Sequence, residues 1–94
     1  MTKAEIVTEI ANKTGIEKVA VQATVESFMD AVKGAMISGD NVYLRGFGSF
    51  TIKKRAQKTG RNISRNTTII IPEHNIPAFK PAKSFMHDVK NKKQ

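Results

Sequence analysis

The sequence predicts an α+β protein with an N-terminal helical hairpin, an antiparallel β-sheet bearing a long protruding β-ribbon arm, and a short C-terminal helix. Three observations support this class. Apolar residues recur at helical spacing as far as residue 38 and then alternate with period two after Gly39. A basic run without acidic residues follows, and helical spacing returns near the C-terminus. The length of 94 residues favours a single domain over residues 1–94.

The first helix is expected at about residues 3–13. Thr2-Lys3-Ala4-Glu5 is a capping-box pattern, in which the threonine and glutamate side chains satisfy backbone N–H groups of the first turn. Gly15 can adopt the left-handed conformation that ends many helices. The N-terminus is charged from its first residues and lacks an apolar stretch, so a secretory signal is not expected.

The second helix is expected from Glu17 or Lys18 to Ser38, with Gly39 as the residue that ends it. Gly34 lies inside this helix at a cost in helix stability, which indicates a close approach of another helix. The apolar stripe is wide enough to serve a partner chain as well as an internal core. It consists of Val21, Val25, Phe28, Met29, Val32, Ala35 and Met36.

Strands are expected after Gly39, because apolar residues then alternate along the chain. The Gly46-Phe47-Gly48 segment indicates a bend or a close backbone approach. The β-branched segment Thr67–Ile71 is expected to return as a strand, with Pro72 and Pro77 at edges or bulges. The alternating residues are Val42, Leu44, Phe50 and Ile52.

A last helix is expected at about residues 82–91, with Pro81 in its first turn. Phe85 and Val89 are one turn apart on it and are expected to dock it. Phenylalanine is the main large side chain available to the core, since the chain has one Tyr and no Trp. The expected core aromatic residues are Phe28, Phe47, Phe50, Phe79 and Phe85.

Charge is distributed unevenly along the chain, and this indicates the kind of partner. Residues 1–44 hold four basic and six acidic residues, a net charge of −2, whereas residues 45–94 hold twelve basic and two acidic ones, a net charge of +10. The pattern predicts one half that folds and another that binds a polyanion. Charge alone would suit DNA, RNA or an anionic membrane. No membrane span is expected, because the longest aliphatic run is Ile69-Ile70-Ile71.

The ribbon, expected from Lys53 to Asn75, is the strongest candidate binding element. At about ten residues per strand it would extend roughly 34 Å, and its cations match the phosphates of a DNA duplex. RNA binding by base stacking requires exposed aromatic residues, and the ribbon has none. A solvated face without a binding role is the alternative interpretation. The basic residues are Lys53, Lys54, Arg55, Lys58, Arg61 and Arg65.

The tip of the ribbon is expected at Gly60-Arg61-Asn62-Ile63-Ser64-Arg65-Asn66. Ile63 is an apolar side chain among cations, and such side chains can insert between base steps in the minor groove and kink DNA. Packing of Ile63 on its own hairpin is the alternative. Arg61 and Arg65 suit the negative potential of the minor groove. Readout there is degenerate, so a weak sequence preference is expected.

A set of motifs spread over nearly the whole chain is more specific than the basic run. It consists of Gly46-Phe47-Gly48-Ser49-Phe50, Arg55, Thr59-Gly60-Arg61-Asn62, Ile76-Pro77-Ala78-Phe79-Lys80 and Lys83. The set resembles the bacterial histone-like HU and integration host factor family, and HU in particular. The resemblance implies an intertwined dimer with a body of residues 1–52 and 76–94. It also implies arms of residues 53–75 that embrace double-stranded DNA in the minor groove.

The resemblance further implies a role in nucleoid organisation, and with it a cytoplasmic, nucleoid location. It implies phosphate contacts from the body at Lys3, Lys80 and Lys83. A homodimer is predicted, while a heterodimer with a paralogue stays open. The chain departs from the family at Ile63, where members usually carry the intercalating Pro, and at Asn66, where they usually carry Gly. Weaker kinking or a different tip conformation is expected, with binding retained because phosphate contacts do not depend on the wedge.

An enzymatic activity, a cofactor and a metal site are not expected. The chain has no Cys, which excludes disulfides and cysteine-based zinc sites. His74 and His87 lack a second His at metal-ligand spacing and are expected to be structural or solvent-facing. A site-specific DNA bender like integration host factor, and a scaffold for RNA or an acidic partner, stay as alternatives. The candidate DNA-binding residues are Lys3, Lys53, Arg55, Lys58, Arg61, Asn62, Ile63, Arg65, Lys80 and Lys83.

Overall fold

A computed structural model describes residues 1–62 and 67–92 of the chain. The expected α+β class is confirmed, with three helices and antiparallel strands in these residues. The chain divides into two compact units, which we call the helical unit (Met1–Ala35) and the sheet unit (Met36–Gln94). The elements in chain order are α1 (Lys3–Thr14), α2 (Lys18–Ile37), β1 (Val42–Leu44), β2 (Gly48–Arg55), β3 (Lys58–Asn62), β4 (Thr67–Ile71), β5 (His74–Pro81) and α3 (Lys83–Asn91).

In the helical unit, local caps set the ends of α1 as the sequence predicts. The Thr2 hydroxyl oxygen accepts a hydrogen bond from the Glu5 backbone N–H at 3.2 Å, which satisfies one of the free donors of the first turn. Gly15 adopts a left-handed conformation with φ of 76°, and its N–H donates to the Ala11 carbonyl. Val7 and Val21 are the buried apolar side chains among the described residues, at 2% and 4% exposure.

Helix α2 ends close to the predicted position, and Gly39 follows it. The φ of Gly39 is 95°, and its N–H donates to the Met36 carbonyl at 3.0 Å. A Cβ built at Gly34 would meet nothing within 4 Å among the described residues. The described part of one chain therefore does not provide the helix contact expected at Gly34. Phe28, predicted as a core residue, is 47% exposed in the single chain. No helix of the described residues is both long and apolar enough to cross a membrane.

The sheet unit contains a three-stranded antiparallel sheet of order β1-β2-β5. Phe50 lies directly opposite Phe79, and their ring centroids are 5.0 Å apart. Phe47 lies 5.1 Å from Phe79 and stacks on Phe85 at 5.7 Å. These four rings form the aromatic cluster of the sheet unit, as the sequence predicts for them. Phe47 and Phe79 nevertheless stay about half exposed.

A separate two-stranded ladder joins β3 to β4, from Lys58 opposite Ile71 to Asn62 opposite Thr67. The predicted return strand over Thr67–Ile71 is confirmed. The predicted arm is not one uninterrupted ladder, because Ala56 and Gln57 on one side and Pro72 and Glu73 on the other belong to no strand. Pro72 has no N–H to donate, which explains the break on the return side. Pro77 pairs with Ile52 in β5, an edge strand, where proline was expected.

The start of α3 differs from the sequence prediction, which placed Pro81 in the first helical turn. Pro81 is the last residue of β5, opposite Gly48. Ala82 is the N-cap residue and its side chain makes no capping bond. The Ala82 N–H instead donates to the Phe47 carbonyl at 2.9 Å. This bond keeps the chain in the sheet one residue longer, so the helix begins at Lys83.

Candidate nucleic-acid interface

The two faces of the β2–β5 pair have opposite character. Directly opposed residues of antiparallel strands share a face, and the next residues along each strand lie on the other. One face carries the Phe50–Phe79 pair and the aromatic cluster. The other face carries the four alternate pairs, and we call it the cationic face. Its pairs are Ser49–Lys80, Thr51–Ala78, Lys53–Ile76 and Arg55–His74.

The register therefore brings three predicted site residues onto one surface. Lys53 and Arg55 lie two residues apart on β2, and Lys80 lies on β5. None of them lies within ion-pair distance of a carboxylate among the described residues. Backbone pairing alone explains why these residues share a face, because it places each side chain on the side of the sheet away from the aromatic cluster. The result is a set of cations available to an anionic partner.

Lys54 belongs to the same basic run but has a different environment. It lies on the face of Phe50, between Lys53 and Arg55 in sequence. Its Nζ atom is 2.8 Å from the Glu73 Oε1 atom. This pair partly neutralises Lys54 and ties the end of β2 to the residue before β5. Lys54 is therefore less available to an anionic partner than Lys53 or Arg55.

A surface depression beside the sheet collects further positive charge. It has a volume of about 420 Å³ and its lining includes Tyr43, Arg45, Ser49, Lys80 and Lys83. Lys83 is the first residue of α3, and the partial positive charge of a helix N-terminus adds to that of the side chains. Arg45 was not among the residues predicted for the site. Its position directly before the Gly46-Phe47-Gly48 turn was the available signal.

The predicted arm residues are only partly covered by the structure. Lys58 begins β3 and is exposed, opposite Ile71. The backbones of Arg61 and Asn62 pair with those of Thr68 and Thr67. The predicted tip residues Ile63 and Arg65 lie outside the described residues, so the wedge role of Ile63 stays a prediction.

Lys3 lies in the helical unit, away in sequence from the other site residues, and it is paired. Its Nζ atom donates a hydrogen bond to Glu26 Oε1 at 3.1 Å, and Gln22 Nε2 donates to the same oxygen at 3.2 Å. These hydrogen bonds, that from Lys3 foremost, lower the pKa of the Glu26 carboxyl. A DNA phosphate would therefore have to compete with the Glu26 carboxylate for Lys3.

His74 lies on the cationic face, opposite Arg55. Its Nδ1 atom is 2.9 Å from the Pro72 carbonyl oxygen. Because a carbonyl only accepts, Nδ1 is the donor in this hydrogen bond. His87 contacts Asn91 one helical turn later. Both histidines are exposed, as predicted, and the described residues contain no cluster of potential metal ligands around them.

Comparisons with known proteins agree with this arrangement. Residues 1–90 match the model of a family described as bacterial DNA-binding protein. The SPbeta prophage-derived DNA-binding protein HU 2 of Bacillus subtilis is 39% identical over 92 residues, which cover 98% of this chain and 100% of that protein. DNA-binding protein HU of Thermotoga maritima is 36% identical over 90 residues, covering 96% and 100%.

A solved structure shows the same likeness in three dimensions. The Anabaena HU–DNA cocrystal structure superposes with a TM-score of 0.92 at 35% identity, covering 98% of this chain and 100% of that one. The motif resemblance, the family match and the structural likeness extend over the same nearly complete length. This chain therefore belongs to the bacterial DNA-binding protein family, together with the HU proteins.

Proposed function

We propose that this protein is a non-enzymatic architectural protein that binds double-stranded DNA in the minor groove and bends it, with little sequence preference. The observation that carries this proposal is the cationic face, which carries Lys53, Arg55 and Lys80 on the side of the sheet away from the aromatic cluster. Membership of the family supports it, as does the similarity to an HU that was crystallised with DNA. Its role would be compaction of the nucleoid, which is also where we expect it in the cell.

Phosphate neutralisation supplies most of the expected affinity. Each Lys or Arg that contacts a phosphate releases condensed counterions, so the affinity falls as salt rises. A dimer that neutralises about eight phosphates should show a slope near −7 in a plot of log K against log salt. The contact residues we propose are Lys3, Lys53, Arg55, Lys58, Arg61, Asn62, Ile63, Arg65, Lys80 and Lys83.

We also propose that the active form is a homodimer. Phe28, Phe47 and Phe79 are 40–47% exposed in the single chain, and Met86 and Val89 of α3 are more exposed still. Large apolar side chains at this exposure favour association, because burial of apolar area is the main favourable term in folding and assembly. Sedimentation at micromolar concentration should give the mass of two chains. A stable folded monomer there would refute the dimer.

Competition binding tests the DNA proposal itself. A labelled duplex of mixed sequence is bound by the full chain and displaced by unlabelled duplex DNA, single-stranded DNA or duplex RNA at moderate salt. We expect duplex DNA to compete best and unrelated duplex sequences to compete almost equally. Better competition by RNA would contradict the proposal. A strong preference for one duplex sequence would point instead to a site-specific bender.

A further inference from the structure

His74, the first residue of β5, lies where the register places two basic side chains next to each other. It is directly opposite Arg55 of β2, and both side chains are exposed. The Cβ atoms of directly opposed residues in an antiparallel pair are about 5 Å apart. The imidazole ring and the guanidinium group therefore share one surface of the cationic face, at the end of the β2–β5 ladder.

One hydrogen bond determines which nitrogen of the His74 ring carries the hydrogen. The Nδ1 atom lies 2.9 Å from the Pro72 carbonyl oxygen, and it is the donor because that oxygen only accepts. In a neutral ring with its hydrogen on Nδ1, the Nε2 atom has no hydrogen and can only accept a hydrogen bond. Protonation at Nε2 gives the ring a positive charge and a second donor in the same step. Only the protonated ring can therefore donate to a phosphate oxygen from Nε2.

The charged groups around His74 are either cations or already paired. The part of β5 that holds His74 pairs with β2, where Arg55 is directly opposite and Lys53 lies two residues away on the same face. Lys54 lies on the other face and is paired with Glu73 at 2.8 Å. No carboxylate of the described residues lies within ion-pair distance of the His74 ring. Protonation thus places a second positive charge beside Arg55, and no acidic group in this part of the chain offsets it.

We propose that Arg55 and His74 together bind one phosphate group of DNA, and that His74 joins this contact only in its protonated form. This inference rests on DNA binding as the protein's function. One non-bridging oxygen of the phosphate accepts from the Arg55 guanidinium, and the other accepts from the His74 Nε2–H group. The negative charge of the phosphate also offsets the repulsion between the two cations. Proton binding at His74 and DNA binding therefore favour each other.

The linkage between the two binding events gives the direction of the pH effect. The state that binds more protons is favoured as the pH falls, and here that state is the DNA complex. Histidine ordinarily changes its charge between about pH 5 and pH 8, so DNA affinity should rise as the pH falls through this range. Each protonated His74 adds one phosphate contact, which should steepen the slope of log affinity against log salt by about one.

The experiment measures the affinity of the full-length chain for a duplex of mixed sequence over a salt series, in buffers without phosphate. The wild type should bind about fivefold more tightly at about pH 5.5 than at about pH 7.5. Both pH values lie above 4.5, the ordinary pKa from which the pKa of the Glu26 carboxyl is lowered. The Lys3–Glu26 pair should therefore not contribute to the difference.

Three variants assign the effect to one histidine. His74→Gln removes the titratable group and should lose the pH dependence. His74→Lys is charged at both pH values and should bind about fivefold more tightly than the wild type at about pH 7.5. His87→Gln is the matched control, because His87 is the other histidine of the chain and lies on α3, and it should keep the pH dependence of the wild type. Thermal unfolding of each variant at both pH values checks that the fold is retained.

Nuclear magnetic resonance of the wild-type chain tests the same linkage without depending on a variant's affinity. The ring signals of His74 are those missing from the spectrum of His74→Gln. Saturating duplex DNA should move the titration of His74 to higher pH, by reciprocity of the linkage, and should leave that of His87 nearly unchanged. Inorganic phosphate in place of the duplex should have a much smaller effect, and an equal effect would overturn the assignment to DNA.

The outcomes separate this inference from the proposed function. If the wild type binds duplex DNA at neither pH, the proposed function is wrong and the inference falls with it. If the wild type binds but His74→Gln keeps the pH dependence, or if DNA leaves the titration of His74 unchanged, only the inference is wrong. Wild-type affinity of His74→Lys at about pH 7.5 would also overturn it, because a permanent charge at this position would then contact no phosphate.

Discussion

The β1-β2-β5 sheet and the β3–β4 ribbon are both antiparallel, yet their apolar side chains have different surroundings. In the sheet, Phe50 and Phe79 face each other at 5.0 Å, and the Phe47 ring lies close to both. In the ribbon, the isoleucines of the segment Ile69–Ile71 are each more than 40% exposed. The difference teaches that the sheet packs aromatic side chains against one another on one face and carries cations on the other. The ribbon leaves its isoleucines largely exposed in the single chain.

Gly48 in the sheet and Gly60 in the ribbon also differ in their surroundings. Replacing Gly48 gives the largest expected effect on the free energy of unfolding. A Cβ at Gly48 would lie 2.6 Å from the Lys80 carbonyl oxygen and 2.7 Å from the Phe79 ring. Because a backbone carbonyl cannot move aside freely, Gly48→Ala should lower the free energy of unfolding by about 3 kcal/mol. Chemical denaturation measures this change in the free energy of unfolding. Gly60→Ala is the control, and equal destabilisation by the two substitutions would remove the distinction between sheet and ribbon.

A second comparison uses adjacent cations on opposite faces of β2. Arg55 lies on the cationic face, whereas Lys54 is paired with Glu73 at 2.8 Å. Arg55→Ala should therefore weaken duplex binding several-fold. It should also reduce the salt slope by about one for each protomer that loses a phosphate contact. Lys54→Ala should change the slope much less. Binding titrations at several salt concentrations test this, and identical slopes for both variants would contradict the assignment of faces.

Ile63, at the predicted tip of the ribbon, stands in place of the proline usual in the family. Ile63→Ala should lower the DNA bend angle more than the affinity, because an inserted side chain kinks the duplex while phosphate contacts hold it. Energy transfer between dyes at the duplex ends reports bending, and a titration reports affinity. Arg55→Ala is the reciprocal control and should lower the affinity more than the bend angle. Parallel losses of bending and affinity on Ile63→Ala would argue against a wedge.

The smallest effect is expected in the helical unit, where Lys3 is held by Glu26 at 3.1 Å. Glu26→Gln should remove the negative charge that competes with phosphate for Lys3 and tighten DNA binding by about twofold, a small effect because exposed ion pairs are weak. The lowered pKa of Glu26 means that its contribution to stability is present above its ordinary pKa of 4.5 and is lost as the pH falls below that value.

Thermal unfolding at neutral and acidic pH measures this contribution. The small difference in stability between wild type and Glu26→Gln should disappear at a pH well below 4.5. At that pH the wild-type carboxyl is protonated and, like the glutamine amide, carries no charge. A difference that persisted unchanged into acid would show that the carboxylate charge is not its cause. Looser DNA binding by Glu26→Gln would contradict competition between Glu26 and phosphate for Lys3.

Much of the fold follows from local sequence signals. Thr2, Gly15 and Gly39 mark helix ends through bonds to residues within one turn, and the observed caps agree. The return strand Thr67–Ile71 follows from its run of β-branched residues. Such signals depend on a few neighbouring residues, so they can be interpreted without knowing the tertiary structure.

Which of the basic residues share a face of the sheet could not be predicted in the same way. Lys53, Lys54 and Arg55 are consecutive cations, and only the pairing of β2 with β5 decides which of them share a face. A slip of one residue would exchange the faces, and the sequence alone does not fix that register. Pro81 was misplaced for a related reason, because the Ala82–Phe47 hydrogen bond that delays α3 joins residues distant in sequence.

The break between the two ladders has a consequence for how the arm can vary. Ala56 and Gln57, facing Pro72 and Glu73, lie outside both ladders, so the register of the ribbon is set separately from that of the sheet. Residues added in pairs to β3 and β4 would lengthen the reach by about 7 Å per pair and keep each side chain on its present face. Arm length is thus a property that can change by insertion while the body, and its cationic face, stay as they are.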